Sequence, residues 1–89
     1  MAAPEVALYT SAWCPYCMRA KALLERKGIA FREIDVEAGR EFRQEMIARS
    51  GGRRTVPQVF INGTHLGGSE ELAAAERSGE LDRLLGIPA

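Results

Sequence analysis

The sequence predicts an α/β protein: one mixed four-stranded sheet with helices on both faces, in the order β-α-β-α-β-β-α-α. Three observations carry this. A short apolar run, Val6 to Thr10, gives way to a helical period, and a second run and a second period repeat the alternation. Asn62-Gly63 then separates two β-tolerant runs, a strong hairpin signal. Finally, Gly28 and Gly79 stand where helical periods stop, the usual place for a left-handed residue.

Val6-Ala7-Leu8-Tyr9-Thr10 reads as a buried first strand. Pro15 suits the first position of a helix, where its missing N–H would have been an orphan anyway. This makes Cys14 the N-cap. The helix runs to about Lys27, with Cys17, Ala20, Leu23 and Leu24 inward and Arg19, Lys21, Glu25 and Arg26 outward. A second strand lies around 30–35; reached by a crossover helix, it is expected to run parallel to the first. Gly39 opens a second helix over about 40–50, with Phe42, Met46 and Ile47 on its inner face and a Glu45–Arg49 surface pair. Ser50-Gly51-Gly52 breaks it.

Val59-Phe60-Ile61 is the third strand and Thr64-His65-Leu66 the returning fourth. Ser69 is expected to cap a third helix whose first turn carries Glu70 and Glu71, favourable to the helix dipole. Leu72 and Ala75 face inward. A short last helix, Glu80 to Leu85, docks Leu81, Leu84 and Leu85.

Residues 1–89 form one domain without repeat or linker. Twelve acidic residues offset twelve basic ones, so net charge offers no attraction for nucleic acid or an anionic membrane. No stretch approaches the roughly 18 apolar residues of a membrane span. The N-terminus lacks a basic region and cleavage site, which points to the cytoplasm, where a structural disulfide would be unusual.

Both cysteines lie in Trp13-Cys14-Pro15-Tyr16-Cys17. Cys-x-x-Cys beside a β-α-β pattern reads as a thiol–disulfide redox pair. A zinc site needs about four ligands, and beyond the cysteines the chain offers only His65. The attacking species is a thiolate. At the N-cap, the Cys14 sulfur can accept the N–H groups of Tyr16 and Cys17 at the positive end of the helix dipole, which favours the anion. Cys17, one turn inside and more buried, is placed to resolve. Lone His65 reads as structural, and Trp13 as a packing residue beside the site.

The chain resembles a small bacterial-type dithiol glutaredoxin over essentially its whole length. The resemblance rests on three separated motifs: Cys14-Pro15-Tyr16-Cys17, Thr55-Val56-Pro57 and Gly67-Gly68-Ser69-Glu70-Glu71. It implies a thioredoxin fold, glutathione as cosubstrate with no permanently bound cofactor, and a monomer that reduces protein disulfides and glutathionylated proteins. It also implies that Pro57 is cis, although the residues alone fit an ordinary trans turn. The same resemblance assigns glutathione contacts to Tyr16, Thr55, Val56 and Pro57 along an added-strand groove.

Gly68, Ser69 and Glu70 match the family's clamp on the γ-glutamyl group. Family members commonly have aspartates where this chain has Glu70 and Glu71, and which glutamate acts stays open. Arg43 matches a position that contacts the glycine carboxylate, and reads equally well as a solvated helix-face residue. Ser11 stands where many members carry a lysine, so one thiolate-stabilising charge is missing; Arg53 or Arg54 is a candidate to restore it. Two other readings are reduction by a thioredoxin reductase and a dimer bridging an iron–sulfur cluster through Cys14 and two glutathiones. The apparent clamp argues against the first, and Pro15 against the second.

Overall fold

A computed structural model describes residues 3–88. The elements are β1 (Val6–Thr10), α1 (Pro15–Arg26), β2 (Arg32–Asp35), α2 (Arg40–Arg49), β3 (Gln58–Ile61), β4 (Thr64–Gly67), α3 (Ser69–Ser78) and α4 (Glu80–Leu85). They form a mixed sheet in the order β2-β1-β3-β4. β1 and β2 pair in parallel, whereas β1–β3 and β3–β4 are antiparallel.

The two-residue alternation of the strands sorts the core into two layers. Val6 and Leu8 of β1 join Val59 and Ile61 of β3 against Ala20 and Leu24 of α1, Leu72 and Ala75 of α3, and Leu81 and Leu85 of α4. On the opposite face, Tyr9 and Phe60 pack with Val36, just past β2, and with Met46 of α2. Helices therefore cover both faces, as the sequence predicts. Asn62 and Gly63 both take positive φ, 52° and 82°, the conformation a two-residue hairpin turn requires.

Two expectations for α2 are corrected. Met46 is its buried residue and Ile47 packs beside it, but Phe42 lies half-buried outside that cluster. Only the later turns of this ten-residue helix press on the sheet. Glu45 and Arg49 do not pair directly either. The Tyr9 hydroxyl donates to Glu45 Oε2 at 2.7 Å and accepts from Arg49 at 2.8 Å. The sheet supplies a better bridge than the helix surface, because the phenol reaches the point between the two side chains.

α3 differs at its start. Gly68, not Ser69, is the N-cap, and Ser69 is the first helical residue. The Gly68 N–H is satisfied from within the helix by Glu71 Oε1 at 2.6 Å. This is the reach-back half of a capping box, and it removes the need for a serine cap.

Candidate active site: two helix starts across a groove

β1 ends beside the start of α1, and this corner sets the thiol. Cys14 is the N-cap with extended backbone, and Pro15 follows at the first helical position. Of the two N–H groups expected on its sulfur, only that of Cys17 makes the bond, at 3.2 Å. An N-cap acceptor serves the second or third helical N–H, and here it takes the third. The Cys14 thiol is half-buried, and its S–H is directed at the Val56 carbonyl oxygen 3.9 Å away.

Cys17 is only 1% exposed. Burial, reinforced by the hydrogen bond to Cys14, pushes its thiol up to about 12; a Ser11 backbone hydrogen bond and the Lys21 charge pull more weakly the other way. The two sulfurs are thus chemically unequal: one half-buried and held by a helix terminus, the other enclosed and protonated.

Next to Cys14 runs a groove of about 260 Å³. One wall is Thr55-Val56-Pro57 and the other is Gly68-Ser69-Glu70, with Tyr16 and Arg53 completing it. The Val56–Pro57 bond is cis, as the resemblance implies. The glycines of the second wall answer a steric demand. Gly67 has φ 136°, and a Cβ there would lie 2.5 Å from the Glu71 side chain. A Cβ on Gly68 would sit 3.2 Å from the Pro57 carbonyl oxygen, so the facing backbone would have to give by a few tenths of an ångström.

One residue of the site went unnoticed in the sequence. Gln58 is fully buried, and its amide donates to Thr55 O at 2.9 Å and to Thr55 Oγ1 at 3.3 Å, holding the first wall from behind. Its Oε1 faces His65 Nε2 at 2.7 Å, so that ring nitrogen must carry the proton. Burial first, and the Arg53 charge second, hold the His65 pKa below its usual value. His65 is structural, as expected. The available signal was a polar residue directly after Pro57 in an otherwise apolar strand.

The structure also separates the two glutamates. Glu71 is occupied: it accepts from Gly68 N–H and pairs with Arg53 at 3.3 Å, and these contacts hold its carboxyl below the usual range. Glu70 lines the groove and has no hydrogen-bond or ion-pair partner among the described residues. Arg53 stands at the groove, whereas Arg54 is exposed in the loop and Arg43 is exposed on α2, outside the lining. Tyr16 borders the groove at 54% exposure. Trp13 does not pack: it is 95% exposed. Its φ of 63° turns the chain through the strand-to-helix corner and leaves the indole outside both layers.

Comparison with known proteins agrees with this geometry. The family model described as glutaredoxin matches residues 6–66. The chain belongs to the glutaredoxin family. It is 55% identical to a glutaredoxin of Pseudomonas aeruginosa over 82 residues, covering 92% of this chain and 96% of that one. It is 51% identical to glutaredoxin 3 of Escherichia coli over 81 residues, covering 91% and 96%. Among solved structures, a Brucella melitensis glutaredoxin superposes with a TM-score of 0.83 at 53% identity, covering 96% of this chain and 91% of that one. A buckwheat glutaredoxin in complex with glutathione gives 0.84 at 28% identity, covering 93% and 77%. The thioredoxin fold implied by the motifs is therefore the fold of this glutaredoxin, and its activity is that of a glutathione-dependent disulfide oxidoreductase. No helix among the described residues is long and apolar enough to cross a membrane.

Proposed function

We propose that Cys14 is the attacking sulfur and Cys17 the resolving one, and that glutathione occupies the groove between Val56 and Ser69. The observation that carries this reading is the Cys14 sulfur itself. It sits on the Cys17 N–H at a helix start while facing Val56 of the groove wall. A thiolate there gains a hydrogen bond and the favourable end of the helix dipole.

Glutathione is proposed to bind as a short added strand. The Val56 N–H has no partner among the described residues and is available to it. The first N–H groups of α3, those of Ser69 and Glu70, likewise have no partner among the described residues and suit the γ-glutamyl carboxylate, with Arg53 adding charge. Glu70, unpaired, takes the ammonium. Thr55 and Pro57 shape the first wall, and Tyr16 covers the peptide from the α1 side. The part of Arg43, at the glycine carboxylate, rests on the family resemblance alone.

The electron balance follows from thiol–disulfide exchange. On a glutathionylated protein, Cys14 takes the glutathione sulfur and the client leaves as its thiol; a second glutathione then forms glutathione disulfide and frees Cys14. On a protein disulfide, Cys14 bonds one client sulfur as the client S–S bond breaks, and the other client sulfur leaves as a thiol. Cys17 then gives its proton to the departing client thiolate and closes the Cys14–Cys17 bond, which two glutathiones reopen. We further propose that the protein works as a monomeric single domain in the reducing cytoplasm, with no permanently bound cofactor.

The test is turnover of a glutathione mixed disulfide coupled to glutathione reductase. Cys14→Ser is expected to fall to the uncatalysed rate, and Cys17→Ser to keep turnover. Equal loss in both variants overturns the assignment of roles.

A further inference from the structure

Beyond the glutathione groove, α1 and α3 leave a second depression of about 250 Å³. Its floor is apolar, formed by Ala20 and Leu23 of α1 with Leu72 and Ala73 of α3. The volume lies below the roughly 300–1,000 Å³ of sites for drug-sized molecules, and suits a single side chain. The depression is continuous with the groove, because Tyr16, Ser69 and Glu70 line both. Arg19 stands at its edge, with the guanidinium 5.2 Å from the centre of the Tyr16 ring.

We propose that this pocket seats an apolar side chain of a client protein, located one or two residues on the N-terminal side of the client's reacting cysteine. The inference rests on the glutathione reading above. There the γ-glutamyl group, N-terminal to the cysteine of glutathione, lies against Ser69 and Glu70. A client segment that follows the same track is longer than glutathione and must continue past these residues. The surface it meets next is the α1–α3 pocket. Glutathione reaches only the rim that Ser69 and Glu70 share with the groove and leaves the apolar floor empty, so the floor distinguishes protein disulfides from small ones and ranks clients by the residue they present.

The continuation also has a chemical logic. The groove recognises backbone and charge, which every client segment shares in part. The pocket offers apolar area, which only some clients can fill. Removing a leucine-sized side chain from water contributes on the order of tenfold or more in kcat/KM, the usual scale for apolar pocket discrimination.

Two disulfide-linked peptides that differ only in leucine or serine two residues before the cysteine would test this, alongside a small glutathione mixed disulfide. Wild type is expected to reduce the leucine peptide about tenfold more efficiently than the serine peptide. Ala73→Glu, at an exposed helix position outside the glutathione groove, places a carboxylate at the pocket. It is expected to shrink the preference to about twofold while leaving turnover of the small mixed disulfide unchanged. Equal rates on the two peptides in wild type, or a preference untouched by Ala73→Glu, overturns the proposal. A concentration-dependent dimer lost in Ala73→Glu assigns the pocket to a second copy of the chain and overturns it too. Failure of wild type on the small mixed disulfide sinks the glutathione reading instead, a separate outcome.

Discussion

Two helix starts face each other across the site, and they handle the same physical problem differently. Each leaves backbone N–H groups without intrahelical partners. At α1 the cap is the Cys14 sulfur, the proposed nucleophile, which accepts the Cys17 N–H. At α3 the cap is a glycine, and a carboxylate from inside the helix, Glu71, takes the Gly68 N–H. The first arrangement gives the helix terminus to the proposed nucleophile. The second closes off one N–H internally and leaves those of Ser69 and Glu70 for an anion from outside. On the proposed reading, one terminus does chemistry and the other binds.

The sharpest way to break this comparison is selective alkylation. With its thiol pushed up to about 12, Cys17 stays protonated and enclosed at pH 8, while Cys14 is accessible. Brief treatment with iodoacetamide is expected to label Cys14 alone, with Cys17 labelled only after denaturation, as read by peptide mass spectrometry. Comparable labelling of both in the folded protein would contradict the division between them.

Next in size, the two glutamates of α3 should separate by readout. Glu70→Gln removes a free carboxylate from the binding end. Loss of one charge-assisted hydrogen bond, about 1.5–3 kcal/mol, predicts a rise in KM for glutathione of about tenfold or more with an unchanged melting temperature. Steady-state kinetics beside thermal melts checks it; a normal KM would take Glu70 out of the site.

Glu71→Gln is expected to do the reverse, costing about 1 kcal/mol of stability through the weakened cap with only a small change in KM. The sign with pH follows from linkage. The Glu71 pKa is lowered in the folded state, so its contribution is present above the ordinary carboxylate value and fades as pH falls through the lowered one. Melting curves of wild type and Glu71→Gln should therefore converge in acid. A gap that widens on acidification would reject the capping role.

How much of this was legible in the sequence depends on how local each feature is. Pro15 after Cys14, and Asn62-Gly63 between β-tolerant runs, specify their conformations within a few residues, and both are found as expected. The division between Glu70 and Glu71 was not legible. Two adjacent acids look alike until Arg53, eighteen residues earlier in the chain, is seen to lie against one of them. Trp13 misled for a similar reason: a large apolar side chain next to the active cysteine suggests packing, yet the backbone turn leaves it in solvent. Gln58 was invisible because its partners, Thr55 and His65, are brought together only by the cis-proline loop and the hairpin.

By itself, then, the sequence determined the order of the elements, the helix that begins at Cys14 and the hairpin, because dihedral preferences and short-range periodicity act between near neighbours; the family came from the resemblance of three separated motifs. The tertiary structure alone decided which groups share the groove. The Cys14 sulfur meets a carbonyl forty-two residues away. That encounter depends on the pairing of β1 with β3, which brings the start of α1 beside the segment that precedes β3, a property of the whole chain rather than of any stretch within it.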